Sequence, residues 1–338
     1  MPKNYTKHLR KHLLPHYLYL LSTIASTAMP ITTHGWGFLA HRTINEKAIF
    51  ILPPQLLFFY KKHLVFIKEE ATKADKRRYV VKQEAPRHFI NIECYEENPN
   101  AIPHHWYQAK KHYGSEFMAQ YGILPWHIVY MKKALTKAFQ KKDITRILRL
   151  SADIGHYIAD AHVPLHTTAN YNGQKTKQHG IHFLWESRIP ELFIAQYNFL
   201  FNEKATYITN VEMAIWQVVK HAHKDAKKVL AIEKELDNVF IGHHKYSYEI
   251  RGSTIVRTYS HAYASAYHQA LKGMVEKRMR MSIKMVASLW LTCWIDAGSP
   301  DLSGVKEVIY NDDQAIEDHL ENFLSETPVS YECNGEHG

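Results

Sequence analysis

His156, Asp160, His166, His182 and Glu186 have the types and the spacing that bind a metal cation. His156 and Asp160 lie four residues apart, so on a helix their side chains leave one face a turn apart and converge on one ion. Taken alone, such a pair reads more readily as a solvated or hydrogen-bonded core pair than as a ligand pair; its neighbours change that. Pro164-Leu165-His166 follows directly, with a proline that stops the helix and turns the next imidazole back toward the helix end. Across a polar stretch, His182 and Glu186 repeat the four-residue spacing. Together these make five nitrogen and oxygen donors, one more than a tetrahedral zinc accepts, which implies more than one metal. Imidazoles outnumber carboxylates, which favours zinc over magnesium or calcium and leaves iron and copper open. The absence of cysteine from the set argues against a structural thiolate site, and the mixture of carboxylates with imidazoles suits a catalytic one.

The elements that must position these residues read as helices. Residues 143–162 open on a capping Asp143, place Ile144, Ile147, Leu148, Ile154 and Ile158 along an apolar stripe, and end before Pro164. Residues 167–180 are polar, contain Asn172-Gly173, and read as a loop. Residues 181–199 return to helical spacing, with a break or kink expected at Pro190. The same period runs through 43–52, stopped by Pro53-Pro54, and through 126–140, opened by Pro125. It recurs in 207–236 and in 258–297, the latter ending at Gly298-Ser299-Pro300. The expectation is an all-α fold, a single compact multi-helix domain, without internal repeat or linker. Hydrophobic residues at 46% and charged residues at 22% exclude a chain disordered by composition.

The two ends differ from this body. Residues 1–35 read as a signal peptide, with Lys3, Lys7, Arg10 and Lys11 before a largely apolar run over 17–28 that is too short for a settled membrane span. Cleavage at Ser26-Thr27-Ala28 or Thr33-His34-Gly35 would export the protein to a periplasm or the exterior, and the second site leaves Trp36 as the amino terminus. Residues 36–311 form the expected helical domain, and 312–338 an acidic tail. Of the net charge of +9, four positive charges belong to residues 1–35; the remaining +5 fits a phosphate-containing partner and an ordinary solvated surface equally. Cys94, Cys293 and Cys333 permit at most one disulfide.

As an ordered set, Trp36-Gly37-Phe38-Leu39-Ala40-His41, Ala74-Asp75, Arg87-His88-Phe89-Ile90, His156-x-x-x-Asp160, Pro164-Leu165-His166 and His182-x-x-x-Glu186 resembles one superfamily: the bacterial zinc-dependent phospholipases C and the fungal and plant single-strand-specific zinc nucleases. The resemblance covers residues 36–186. It implies a helical domain with three zinc ions. The first ion would take Asp75, His88, His156 and Asp160; the second, His166, His182 and Glu186; the third, His41, Asp160 and the amino nitrogen and carbonyl oxygen of Trp36. That last site requires a free α-amine, which cleavage after Gly35 supplies and cleavage after Ala28 does not. Taken singly, His88 reads as a loop histidine and Asp75 as a solvated helix charge; their joint order makes them ligand candidates. His179, His162 and Asp153 lie near the ligands and read as groups that support them or as surface groups, with His179 as an alternative donor to His182.

The activity that the resemblance implies is phosphodiester hydrolysis, in which zinc lowers the pKa of bound water to about 7. Asp75 would orient or deprotonate the attacking water, and Arg78 would pair with a phosphate oxygen or remain a surface arginine. The step from Trp36 to His41 and the pair His88-Phe89, whose aromatic ring suits base stacking, look like the nuclease branch, whereas Glu186 looks like the phospholipase branch. No basic stripe with interleaved aromatics adjoins the site, and three cysteines cannot build the nucleases' several disulfides. The reading is therefore a phospholipase C-like phosphodiesterase, acting on phospholipid in preference to single-stranded nucleic acid, with transient contact to a membrane surface and no protein partner. A single-strand-specific nuclease is the alternative. A non-catalytic exported zinc-binding protein, to which 24 histidines lend superficial support, is the other.

Overall fold

A computed structural model of the chain describes residues 37–240 and 244–304. The expectations for the signal peptide, Trp36, the acidic tail and Cys333 lie outside the described residues. The helices are α1 (Phe38–Ile49), α2 (Pro54–Lys62), α3 (Leu64–Glu70), α4 (Lys73–Arg77), α5 (Ile92–Tyr95), α6 (Trp106–Tyr113), α7 (Ser115–Tyr121), α8 (Leu124–Lys141), α9 (Ile144–Ala161), α10 (Ile181–Phe183), α11 (Ile189–Phe193), α12 (Val211–Val239), α13 (His261–Ala270) and α14 (Met274–Asp296). The fold is mostly helical, as the periodicity requires. Among the described residues no helix is long and apolar enough to cross a membrane.

Helix α9 is the central element, packed against α1, α3, α8 and α14. Asp143 caps it by accepting the Arg146 amide at 3.1 Å. From Ile147 to Ala161 every residue is buried, so the stripe legible in sequence broadens into a fully enclosed helix. Such a helix can carry His156 and Asp160 only if partners meet them, because an unpaired buried polar group costs about 1–3 kcal/mol. Tyr60 and Trp290 hold its middle: their rings stack at 4.7 Å, the Tyr60 hydroxyl lies 2.7 Å from Ser151 Oγ, and Trp290 Nε1 donates to the Ser151 carbonyl at 3.1 Å.

Gly155 sets how closely α1 approaches α9. A Cβ there would lie 2.1 Å from Asn45 Oδ1, and Asn45 Nδ2 donates to the Ala152 carbonyl at 3.0 Å. One turn before Asn45, His41 is thereby brought face to face with His156, ring centroids 3.9 Å apart. Gly155→Ala is expected to force α1 outward and to cost about 1–3 kcal/mol, read as a lower denaturation midpoint together with weaker zinc binding; an unchanged midpoint and affinity would contradict this close approach.

Two departures from the all-helical reading have local causes. The stretch read as one helix over 258–297 breaks after Ala270, where Lys272 (φ 49°) and Gly273 (φ 76°) turn left-handed, and α14 starts from Gly273. Upstream, β1 (Tyr246–Arg251) and β2 (Thr254–Tyr259) pair antiparallel from Tyr246↔Tyr259 to Arg251↔Thr254. Their two-residue loop begins at Gly252 with φ 62°, a conformation that matches the twist of a hairpin. β-branched and aromatic residues alternating on either side of that glycine carried the signal.

Candidate metal centre

His156 and Asp160 leave α9 one turn apart. His156 Nδ1 donates to the Ala71 carbonyl at 2.9 Å; a carbonyl only accepts, so this bond fixes the tautomer. Nε2, the nitrogen left for a metal, then faces His88 Nδ1 at 3.0 Å, Asp160 Oδ2 at 3.3 Å and Asp75 Oδ1 at 3.7 Å. Asp75 is carried by the short α4, and His88 ends a 3-10 turn over Ala85–His88. The two oxygens of Asp160 point in different directions. Oδ2 lies 3.0 Å from His88 Nδ1, while Oδ1 lies 3.5 Å from His41 Nε2 and 3.8 Å from His166 Nδ1.

Pro164 opens the 3-10 turn Pro164–Thr167, which folds His166 back under α9 as its position after a proline suggests. His166 Nδ1 donates to the His88 carbonyl at 2.6 Å, leaving Nε2 turned toward Glu186 Oε2 at 3.4 Å. His182 Nε2 lies 2.7 Å from the same oxygen.

Glu186 sits in a π-helical turn, Leu184–Arg188, closed by the Ile189 amide on the Leu184 carbonyl. Pro190 has no N–H to give the Glu186 carbonyl four residues back, so the expected kink takes the form of this widened turn. The amide of Gly37 donates to the Glu186 carbonyl instead, at 3.1 Å. A Cβ on Gly37 would come 2.8 Å from Ser187 Oγ, so the segment that enters α1 lies directly against the turn that carries Glu186.

These side chains make three adjoining groups in which the ligand atoms lie within 4.8 Å of one another: His41, His156 and Asp160; Asp75, His88 and His156; His166, His182 and Glu186. The donors fit divalent cations. Buried and without a hydrogen-bond partner are both ring nitrogens of His41, Oδ1 of Asp75, Oδ1 of Asp160 and Nε2 of His166. So many orphaned donors and acceptors at one place is unusual in a folded core unless something coordinates them. No disulfide joins Cys94 to Cys293, and neither cysteine is in a metal group.

Charge is arranged to suit. Burial works against ionising Asp160, but His156 and His166 overcome it and hold the carboxyl well below its usual range. For His156 burial again opposes charge, and Asp160 with Asp75 lifts it to about 9. Burial depresses His41 well below its ordinary value and His166 to about 4, so both present lone pairs at neutral pH. Asp75 is raised, chiefly by burial. A metal entering at His156 must displace its proton. Zinc affinity of the metal-free protein is therefore expected to fall about tenfold for each pH unit below about 9 at that site. Competition titrations at several pH values check this, and a flat profile would contradict the protonated His156.

Behind His88 lies a network that sequence reading missed. Glu84 is fully buried, with Oε1 3.4 Å from His88 Nε2. It accepts from Arg87 Nη1 at 2.7 Å, from Arg77 Nε at 3.4 Å and from the Tyr157 hydroxyl. Burial opposes its charge, yet His88, Arg77 and Arg87 hold it well below the usual carboxylate range. An anionic Glu84 draws the Nε2 proton of His88 outward and leaves Nδ1 for the metal group. The one available signal was the four-residue step from Glu84 to His88, invisible without knowing that a turn joins them. Glu84→Gln is expected to weaken zinc binding about 10–100-fold; equal affinity in a zinc titration would remove Glu84 from this role.

The other candidates fall as follows. Asp153 clamps Arg77 at 3.1 and 3.0 Å and reaches the site only through it. His162 donates to the Ile158 carbonyl at 2.8 Å, and burial lowers it to about 3. His179 is exposed and belongs to none of the three groups. Arg78 Nη1 stands 3.8 Å from Asp75 Oδ1, at the edge of the cluster. Phe89 is half-buried and packs over Gly122.

No family model matches the chain, and no curated protein matches it in sequence. Among solved structures the chain is similar to the alpha toxin from Clostridium absonum, with 13% identity and a TM-score of 0.46, over 80% of this chain and 66% of that one. The chemistry of the site therefore stands on its own geometry.

Proposed function

We propose that the protein is an exported hydrolase of phosphoric ester bonds that works with three zinc ions and acts on a phosphodiester, a phospholipid in preference to single-stranded nucleic acid. The observation that carries this reading is the set of three adjoining buried donor groups, two of which share His156 while the third reaches Asp160 through His166 at 3.8 Å, because the split orientation of the Asp160 oxygens suits a carboxylate shared between ions. Zinc at these positions would supply a water of lowered pKa and stabilise charge on phosphate oxygens.

The chain's own groups complete the site. Asp75, raised by burial, is placed to orient the attacking water and accept its proton. Arg78 beside it offers a planar set of donors to a phosphate oxygen. Cleavage after Gly35 would give a free amine to Trp36, next in sequence to Gly37, whose amide donates to the Glu186 carbonyl.

The test is incubation of the purified protein with a generic phosphodiester, phosphatidylcholine micelles and single-stranded DNA, with and without chelator and added zinc. Zinc-dependent release from phosphatidylcholine ahead of DNA is expected. Preferential DNA cleavage would make the protein a nuclease, and no hydrolysis by zinc-loaded protein would leave a zinc-binding protein without turnover.

A further inference from the structure

The hairpin is fastened to its neighbours at its base and through Glu249, and is bare on the other side toward its tip. Arg188, two residues after Glu186, donates through Nε to the Tyr259 carbonyl at 3.0 Å and through Nη1 to Glu249 at 3.0 Å. The Tyr259 hydroxyl donates to the His179 carbonyl at 3.1 Å, three residues before His182. At the hairpin base, Lys245 pairs with Glu233 at 2.9 Å and with Asp237 at 2.6 Å. A two-stranded ribbon is marginal by itself; the Arg188 and Tyr259 bonds tie it to both ends of the stretch that carries His182 and Glu186, and the Lys245 pairs tie its base to α12.

The bare stretch toward the tip follows from the register. Tyr248 pairs with Arg257 and Ile250 with Ile255, so these four side chains share one side, away from Glu249. Tyr248 is 74%, Ile250 79% and Ile255 69% exposed, and Arg257, also exposed, lies 3.7 Å over the Tyr246 ring. Three apolar side chains at the end of a ribbon fall well short of the roughly 800 Å² per partner that a stable protein interface buries. The combination of two isoleucines, a tyrosine and a cation matches a bilayer boundary. Aliphatic side chains enter the acyl region there, a tyrosine sits at headgroup depth, and an arginine meets lipid phosphate.

We propose that the outer face of the β1–β2 hairpin docks on an anionic phospholipid surface through Tyr248, Ile250, Ile255 and Arg257. The docking is independent of which ester the metal site cleaves, and it would hold the segment 179–188 at the membrane.

The experiment is co-sedimentation of the zinc-loaded protein with vesicles of phosphatidylcholine, with and without phosphatidylglycerol, at low and high salt. Turnover of a soluble phosphodiester and the melting temperature are read on the same preparations. Binding to the anionic vesicles is expected, reduced by salt and by Arg257→Glu. The triple variant Tyr248→Ser, Ile250→Ser, Ile255→Ser is expected to bind about tenfold or more weakly, with soluble turnover and melting unchanged. The proposal is overturned if the wild-type protein ignores anionic vesicles or if the triple variant binds them equally. A wild-type dimer that the triple variant converts to a monomer would overturn it too, since a second copy would then cover this face. Failure here leaves soluble turnover untouched and so is distinguishable from failure of the hydrolase reading.

Discussion

Asp160→Asn is expected to strip the metal centre of more than one ion and to lower phosphodiester turnover by about a thousandfold or more, the equivalent of several kcal/mol of charge stabilisation. The two oxygens of Asp160 serve different neighbours, His88 and His156 through Oδ2 and His41 through Oδ1. Asparagine keeps the volume but replaces one acceptor with an NH₂ donor, which would point at an imidazole lone pair or a cation. It also removes the charge that lifts His156 most, so the proton competing for that nitrogen should leave at lower pH. Glu186→Gln touches only the His166 and His182 group and should cost a single ion. Zinc per chain by mass spectrometry, set beside turnover, separates the two variants. Full zinc content and turnover in Asp160→Asn would sink the idea of a shared carboxylate.

Removal of zinc should be the largest stability effect. A single ion at about a thousand times its Kd adds about 4 kcal/mol to the folded state. A domain of this size moves roughly 2–4 °C in melting temperature per kcal/mol, so chelation is expected to lower it by roughly 10 °C or more.

The pH dependence has a definite sign. In the metal-free protein His156 is lifted to about 9, above its unfolded value of about 6.5. Its protonation therefore stabilises the metal-free fold fully below about 6.5, and that contribution disappears as pH rises through about 9. The zinc-loaded protein has no use for that proton. The gap between the two melting temperatures should widen with rising pH over this window, as read by scanning calorimetry with and without chelator; a gap that narrows would contradict the charge balance described for His156 and Asp160.

What could be read from the sequence was what one helix or one turn encodes. His156 with Asp160, and His182 with Glu186, sit on single turns, and the proline before His166 dictates its return toward α9. The break at Pro190 was legible as a break; that it becomes a π-helical turn depends on Gly37 supplying the donor that proline lacks. The meeting of Asp75 and His88 with His156 is a tertiary fact, which motif order suggested and spacing could not derive. Glu84 escaped notice because its partners Arg77, Arg87 and Tyr157 come from three elements. Gly155 looked like any helical glycine until Asn45 was seen against it. The hairpin was hidden by an otherwise helical chain, although Gly252 between two alternating runs marked its turn.

The central claim is that three buried donor groups hold three zinc ions, and anomalous X-ray scattering at the zinc edge from crystals of the protein tests it most directly. Three peaks are predicted, one within each of the groups His41, His156 and Asp160; Asp75, His88 and His156; and His166, His182 and Glu186, with an Asp160 oxygen on two of them. No peak among these residues, or a single ion with the remaining donors hydrogen-bonded to one another, would contradict it.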